Sequence, residues 1–165
     1  MQQSIILTNE QIQNKTKRIA YQIYEANWNE KEIVVAGIHG NGYIFATNIA
    51  NIIENISSIK VILVEVLMDK KKPIKPINTD VSEDLYKNKA LILVDDVLNS
   101  GTTLMYGVKH FLEVPLKRFN TAVLVNRNHK KYPVKADFKG ISLSTSMKEH
   151  VSIVFEKDKA FAVLD

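Results

Sequence analysis

Apolar positions along the chain follow two alternating rhythms. Thr8 followed by Gln11 reads as a capping box, and behind it Ile12, Ile19, Ala20 and Ile23 keep the spacing of a helix face. Residues 33–38 are apolar throughout, which predicts a strand buried on both sides. His39-Gly40-Asn41-Gly42 breaks that run. From Tyr43 to Asn55 the helical spacing returns through Phe45, Ile49, Ile52 and Ile53. A second strand is predicted over 59–67. A third buried run, 90–94, ends in Asp95-Asp96. A helix then opens at Thr102 or Thr103 and runs through Leu104, Val108, Phe111 and Leu112, with Pro115 to end it. Residues 121–125 form the fourth strand. Short alternating segments at 134–138, 151–155 and 160–164 close the chain.

Strands that are apolar on both faces and alternate with helices imply an α/β fold: a central, mainly parallel sheet flanked by helices. The strand at 90–95 is expected at its centre. The closing segments add an antiparallel piece, a small hood to which the N-terminal segment can also contribute. No repeat and no internal boundary is visible, so 1–165 reads as one domain.

Residues 69–80 fit neither rhythm. They hold four lysines and two prolines and read as a flexible arm. A loop of about twelve residues in a compact domain is more often functional than idle.

Composition narrows the chemistry. The chain has 165 residues, 45% hydrophobic and 24% charged, an ordinary globular balance. It has no cysteine, which excludes disulfides, thiolate metal sites and a cysteine nucleophile. The net charge of +4 is mild and much weaker evidence for nucleic acid than a dense basic patch. The first residues lack the basic start of a signal peptide, and no apolar run approaches the ~18 residues of a membrane helix. A cytoplasmic protein is the expectation.

The segment 91–104, LILVDDVLNSGTTL, carries the most chemistry. A buried strand delivers Asp95 and Asp96 to the carboxyl edge of the sheet, where α/β folds place ligands. Asn99, Ser100, Gly101, Thr102 and Thr103 then form a small hydroxyl-rich turn into a helix, whose free N–H groups and positive dipole end attract an anion. A phosphate binder beside two acids suits a phosphorylated polyol. Two acids at the end of an apolar strand are costly to desolvate without a purpose. Gly101 is expected to bar bulky residues for the sake of binding, with the fold largely indifferent.

This segment resembles the phosphoribosyl-diphosphate signature of the type I phosphoribosyltransferases, two acids followed by a Ser/Thr-Gly-X-Thr loop. The resemblance extends to the run 36–43, AGIHGNGY, which is similar to the family's diphosphate-binding loop. The arm at 69–80 falls where the family has its flexible catalytic loop. The run 123–140, LVNRNHKKYPVKADFKG and its preceding valine, with Thr145-Ser146 beyond, is most similar to the bifunctional pyrimidine-operon attenuator/uracil phosphoribosyltransferases.

The resemblance implies transfer of phosphoribose from phosphoribosyl diphosphate to a free nucleobase, most simply uracil, with Mg²⁺. Asp95 and Asp96 would hold the ribose hydroxyls directly or through the metal. The turn 99–103 would take the 5′-phosphate. His39, Gly40, Asn41 and Gly42 would meet the diphosphate, and Phe138, Lys139 and Arg127 the base. It also implies a homo-oligomer. A nucleotide-sensing RNA-binding regulator and a purine phosphoribosyltransferase are the alternatives. Lys130, Lys131, Lys135 and Lys139 would permit RNA contact.

Four positions depart from the family. Asn99 stands where purine enzymes carry an aspartate and the attenuators a tyrosine. Thr102 replaces a basic residue, and His39 and Asn41 replace arginines. Among the remaining candidates, Trp28 reads as a packing residue, His110 as structural or exposed, and His150 as a residue without an evident role.

Overall fold

In the computed structural model, residues 4–144, 146 and 149–165 are described. Two sheets organise them. Six strands run in the order β4-β3-β2-β5-β6-β7, where β2 is Glu32–Ile38, β3 Lys60–Leu67, β4 Asn78–Thr79, β5 Ala90–Leu98, β6 Arg118–Arg127 and β7 Phe138–Leu143. All neighbours are parallel except the short edge strand β4. β1 (Ser4–Leu7), β9 (Ala160–Leu164) and β8 (Val151–Phe155) form a separate antiparallel sheet, so the N-terminal segment does join the hood.

Three helices cover the large sheet: α1 (Asn9–Ala26), α2 (Asn41–Ile56) and α3 (Thr102–Phe111). The capping box opens α1 as expected: Gln11 N–H donates to Thr8 Oγ1 at 3.3 Å, and Thr8 N–H to Gln11 Oε1 at 2.9 Å. Ile19 and Ile23 of α1, with Phe45 and Ile49 of α2, pack on Ile33, Val35, Ile92 and Val94. The opposite face, Val34, Ala36, Leu91 and Leu93, packs on Leu104 and Phe111 of α3 and on Tyr86. Each central strand thus alternates between two cores, which is why its sequence is apolar without interruption.

β5 lies between β2 and β6, interior to the sheet. Its register sets Asp95 beside Val123, beyond the last β2 pairing at Val94–Gly37. The acids therefore emerge where β2 has already turned away into α2.

Two expectations are corrected. The strand placed at 134–138 begins instead at Phe138, because Thr121 captures the preceding segment. Its Oγ1 donates to Lys135 O at 2.6 Å, and its N–H donates to Asp137 Oδ2 at 3.0 Å. Trp28 is 71% exposed, because Asn27 does the packing at the end of α1. Asn27 is fully buried, donating to Ile23 O at 2.8 Å and accepting from Arg118 at 2.9 Å. Within the arm, Asp69 Oδ1 accepts the N–H groups of Lys71 and Lys72, and β4 pairs its far end to β3.

Candidate active site

Asp95 is buried and Asp96 half-buried, and both sit late in β5. Asp95 Oδ1 accepts the N–H of Asp96 at 3.0 Å, and Asp96 Oδ1 accepts that of Val97 at 2.9 Å. Burial pushes the Asp95 carboxyl up to about 7; the charge of Asp96 adds to the effect and Lys70 opposes it. Lys70 reaches in from the arm, its Nζ 3.6 Å from Asp95 Oδ1. Two adjacent carboxylates with one half-exposed cation, set against Asp95, leave the site short of positive charge. Polyol hydroxyls or a divalent cation would satisfy it.

The opening of α2 flanks the same acids. Gly42 lies so close that a Cβ there would stand 2.9 Å from Asp95 Oδ1, so any larger residue would displace the carboxylate. Asn41 Nδ2 donates to Asp96 Oδ2 at 3.1 Å and to Ile153 O of the hood at 2.8 Å. His39 faces the other way, with Nδ1 2.6 Å from Glu65 Oε1 at the end of β3.

On the far side of the acids, Gly101 turns the chain into α3 at φ +86°. Gly101 itself has no side chain to cap that helix. Of the first N–H groups that of Thr102 is engaged, donating to Ser100 Oγ at 3.3 Å, which leaves those of Thr103 and Leu104 for a ligand. Ser100 Oγ and Thr102 Oγ1 lie 2.8 Å apart and add hydroxyls to the same concavity. The segment after β6 braces the turn from outside: Lys131 and Tyr132 both donate their N–H to Ser100 O, at 2.8 and 3.0 Å.

Asp95, Asp96, Asn99, Ser100, Gly101, Thr102, Thr103 and Lys70 line one hollow of about 130 Å³. A second hollow of about 540 Å³ shares Asn99 and Ser100 with it and is otherwise walled by Arg127, His129, Lys130, Lys131 and His150. Arg127 bridges the two sides of this second hollow. Its Nη1 donates to Asn99 Oδ1 at 3.1 Å and its Nη2 to Ser146 O at 2.8 Å. A larger hollow, about 690 Å³ between α1, α2 and the β8–β9 turn, is walled by a mixture of amides, apolar residues and the charged turn 156–159 and contains neither the acids nor the phosphate turn. Chemistry, not size, selects the first two.

The expected acids and phosphate turn therefore come together, with Asn41 and Gly42 touching the acids and Arg127 touching Asn99. The expected base contacts, Phe138 and Lys139, are not brought to the site. Phe138 starts β7 level with Ala122, packed against the core on the α1 side, and it lines neither hollow. The carbonyls of Lys139 and Gly140 are taken by Arg18 of α1, at 2.8 and 2.7 Å. The physical reason is the late start of β7, which makes Ala136-Asp-Phe-Lys-Gly140 an entry to a strand rather than an exit from one. Thr145 lies outside the described residues.

Sequence reasoning missed Lys70 as the counter-charge of Asp95, His150 as a wall of the second hollow, and Glu65 as the partner of His39. Only the lysine-rich arm gave any local signal for these.

Mg²⁺ fits this donor set. Among the described residues no group of three or more His, Asp or Glu side chains converges on one point. A hydrated Mg²⁺ needs only one or two carboxylates plus ligand oxygens, which Asp95 and Asp96 offer.

The sequence pattern of the phosphoribosyl transferase domain matches residues 2–156. The chain is 35% identical to the Bifunctional protein PyrR of Clostridium novyi, over 97% of this chain and 95% of that protein. To the protein of the same name from Clostridium acetobutylicum it is 36% identical, over 90% and 88%. Among solved structures, the hypoxanthine phosphoribosyltransferase of Trypanosoma cruzi superposes with a TM-score of 0.78 at 13% identity, over 96% of this chain and 95% of that one. A hypoxanthine-guanine phosphoribosyltransferase of Bacillus anthracis gives 0.73 at 20% identity, over 99% of both. At such identities the likeness is one of fold.

Proposed function

The chain belongs to the phosphoribosyl transferase family, and from that premise we propose that it joins a free nucleobase, uracil first, to phosphoribosyl diphosphate. The observation that carries this reading is the shared hollow of Asp95, Asp96 and the turn 99–103. It offers acids for the ribose hydroxyls at one end and N–H and hydroxyl donors for the 5′-phosphate at the other. The ring nitrogen of the base would bond to C1′ as the bond to diphosphate breaks, through a cation-like sugar; the diphosphate leaves with the bonding pair and the N–H proton of the base passes to solvent.

The protein's part is placement and fixed charge. Asp95 and Asp96 hold the ribose beneath the incoming base and oppose the positive charge at C1′. The turn anchors the phosphate and so fixes where C1′ lies. Gly42 and Asn41 bring the opening of α2 to the diphosphate side. When bound at the acid pair, Mg²⁺ supplies neutralisation of the leaving diphosphate. The second hollow, next to the turn and roofed by the hood, is the place left for the base. Asn99 there cannot titrate, so no side chain of the turn moves a proton at a purine imidazole, which favours a pyrimidine. By the same resemblance, we read the protein as a cytoplasmic homo-oligomer.

The test is product formation from phosphoribosyl diphosphate and Mg²⁺ with uracil, hypoxanthine and guanine side by side. Uridine monophosphate and diphosphate are the expected products, with kcat/KM highest for uracil. A faster purine would replace the proposed acceptor.

A second reading, a nucleotide-sensing regulator that binds RNA, is favoured by the wall that sets Arg127, Lys130 and Lys131 beside His129 and His150. RNA retention that weakens steeply with salt, together with weak turnover, would favour it over salvage.

A further inference from the structure

The loop between β2 and α2 touches the acid pair through Asn41 and Gly42, so any ligand that runs from the phosphate turn past the acids ends against it. The charge this loop can offer is that of His39. Its ring is 66% exposed and rests 2.6 Å from Glu65 Oε1. Glu65 is tied to Asp80 in turn: its N–H donates to Asp80 Oδ1 at 2.8 Å. Both carboxylates also face the start of α2, where they reinforce the upward push that burial gives the Tyr43 hydroxyl. From the arm, Asp69 and Lys75 share the hollow around His39 and are paired with each other at 3.2 Å. Lys70, the remaining nearby cation, is engaged by Asp95.

The surroundings of the loop are thus acidic: Glu65, Asp80 and Asp69 against Lys75 and, when protonated, His39. A multiply charged anion placed here meets three carboxylates against one lysine. A proton on His39 halves that excess of negative charge from two to one while adding a donor that faces the ligand. Histidine is the side chain whose charge changes between about pH 5 and 8. An exposed ion pair contributes little by itself, so a more highly charged partner can take the ring from Glu65.

Resting on the reading of this chain as a binder of phosphoribosyl diphosphate, we propose that the His39–Glu65 pair makes its hold on the diphosphate proton-dependent. Protonated His39 turns from Glu65 to a diphosphate oxygen, and Glu65 competes with the ligand for that ring. Affinity for the diphosphate-bearing ligand then falls as pH rises through the histidine range. A ligand with a 5′-phosphate alone is anchored at the far turn and does not use the pair.

The test is calorimetric titration of the full chain with phosphoribosyl diphosphate and Mg²⁺, and separately with uridine monophosphate, at about pH 6 and pH 8. Wild type is compared with His39→Lys, His39→Asn and Glu65→Gln. Ligand ionisation and the titration of Asp95 are common to all four proteins, so His39→Lys, which keeps its charge, supplies the reference slope. Wild type should lose about tenfold more affinity for phosphoribosyl diphosphate between the two pH values than His39→Lys does, the worth of one charge-assisted hydrogen bond. His39→Asn should be weak at both, and Glu65→Gln severalfold tighter than wild type at the lower pH. Uridine monophosphate should bind all four within about twofold. Equal pH dependence in wild type and His39→Lys overturns the inference while leaving the functional reading intact. Failure of both ligands to bind wild type overturns that reading, and the inference with it.

Discussion

Asn41 Nδ2 lies 3.1 Å from Asp96 Oδ2 and 2.8 Å from the carbonyl of Ile153, so one amide joins the first turn of α2, the acid pair and the hood. The hood is built from the two ends of the chain and is a separate sheet from the one that carries the acids. Asn41→Ala removes both bonds and leaves a half-buried carboxylate with one partner fewer. It should cost about 1–2 kcal/mol in urea denaturation and speed amide exchange in β8. A loss confined to the measurement error, with β8 exchange unchanged, would mean that the amide joins nothing of consequence.

Asp95 gives the site a pH signature. Its carboxyl stands at about 7 in the folded protein, through burial first and the charge of Asp96 second, whereas in the unfolded chain it titrates near the ordinary ~4. The folded state therefore keeps a proton that the unfolded state has released, and stability falls as pH rises from about 4 to 7. That contribution is complete below the unfolded value and gone above the folded one. Asp95→Asn deletes the dependence. The variant should gain on wild type by about 1–3 kcal/mol between pH 4 and pH 8, read as the difference in urea stability, while losing turnover. A difference that stays flat with pH would show that the acid is not raised.

Lys70 holds the Asp95 value down. Lys70→Ala should let it rise further, moving the carboxyl titration of Asp95, followed by ¹³C NMR, to higher pH. Movement to lower pH, or none, would place the lysine elsewhere than against the acid.

Gly101 is a structural position as well as a binding one. Its φ is +86°, and a Cβ would stand 2.6 Å from Val134 Cγ1, on the segment that braces the turn. The sequence-based expectation that bulk here spares the fold is corrected for that reason. Gly101→Ala should lower the melting temperature by several degrees, from about 1–2 kcal/mol of left-handed strain plus the contact. Thr103→Ala is the cleaner probe of phosphate binding. An unchanged melting temperature in Gly101→Ala would show that the turn can relax.

What could be read from the chain depended on how local its cause is. β2 and β5 were legible because each is buried on both faces. The acids and turn were legible because strand, carboxylates, hydroxyls and helix opening follow one another within 91–104. Phe138 was misplaced because Ala136-Asp-Phe-Lys-Gly140 looks the same whether it leads into a strand or out of one. The difference lies in Thr121, sixteen residues before Asp137. Trp28 was misread because an amide, Asn27, is what the end of α1 buries. His150 and Lys70 reach the two hollows only through the hood and the arm; the lysine-rich arm hinted at Lys70, and nothing near His150 in sequence announces it.

The most direct measurement is the structure of the chain soaked with uridine monophosphate. The account places the phosphate within hydrogen-bonding distance of the N–H and hydroxyl groups of 100–103, the ribose hydroxyls against Asp95 and Asp96, and the base toward Asn99 and Arg127. A phosphate bound instead among Lys157 and Lys159 in the large hollow between α1 and α2, with the acids left unvisited, would contradict it.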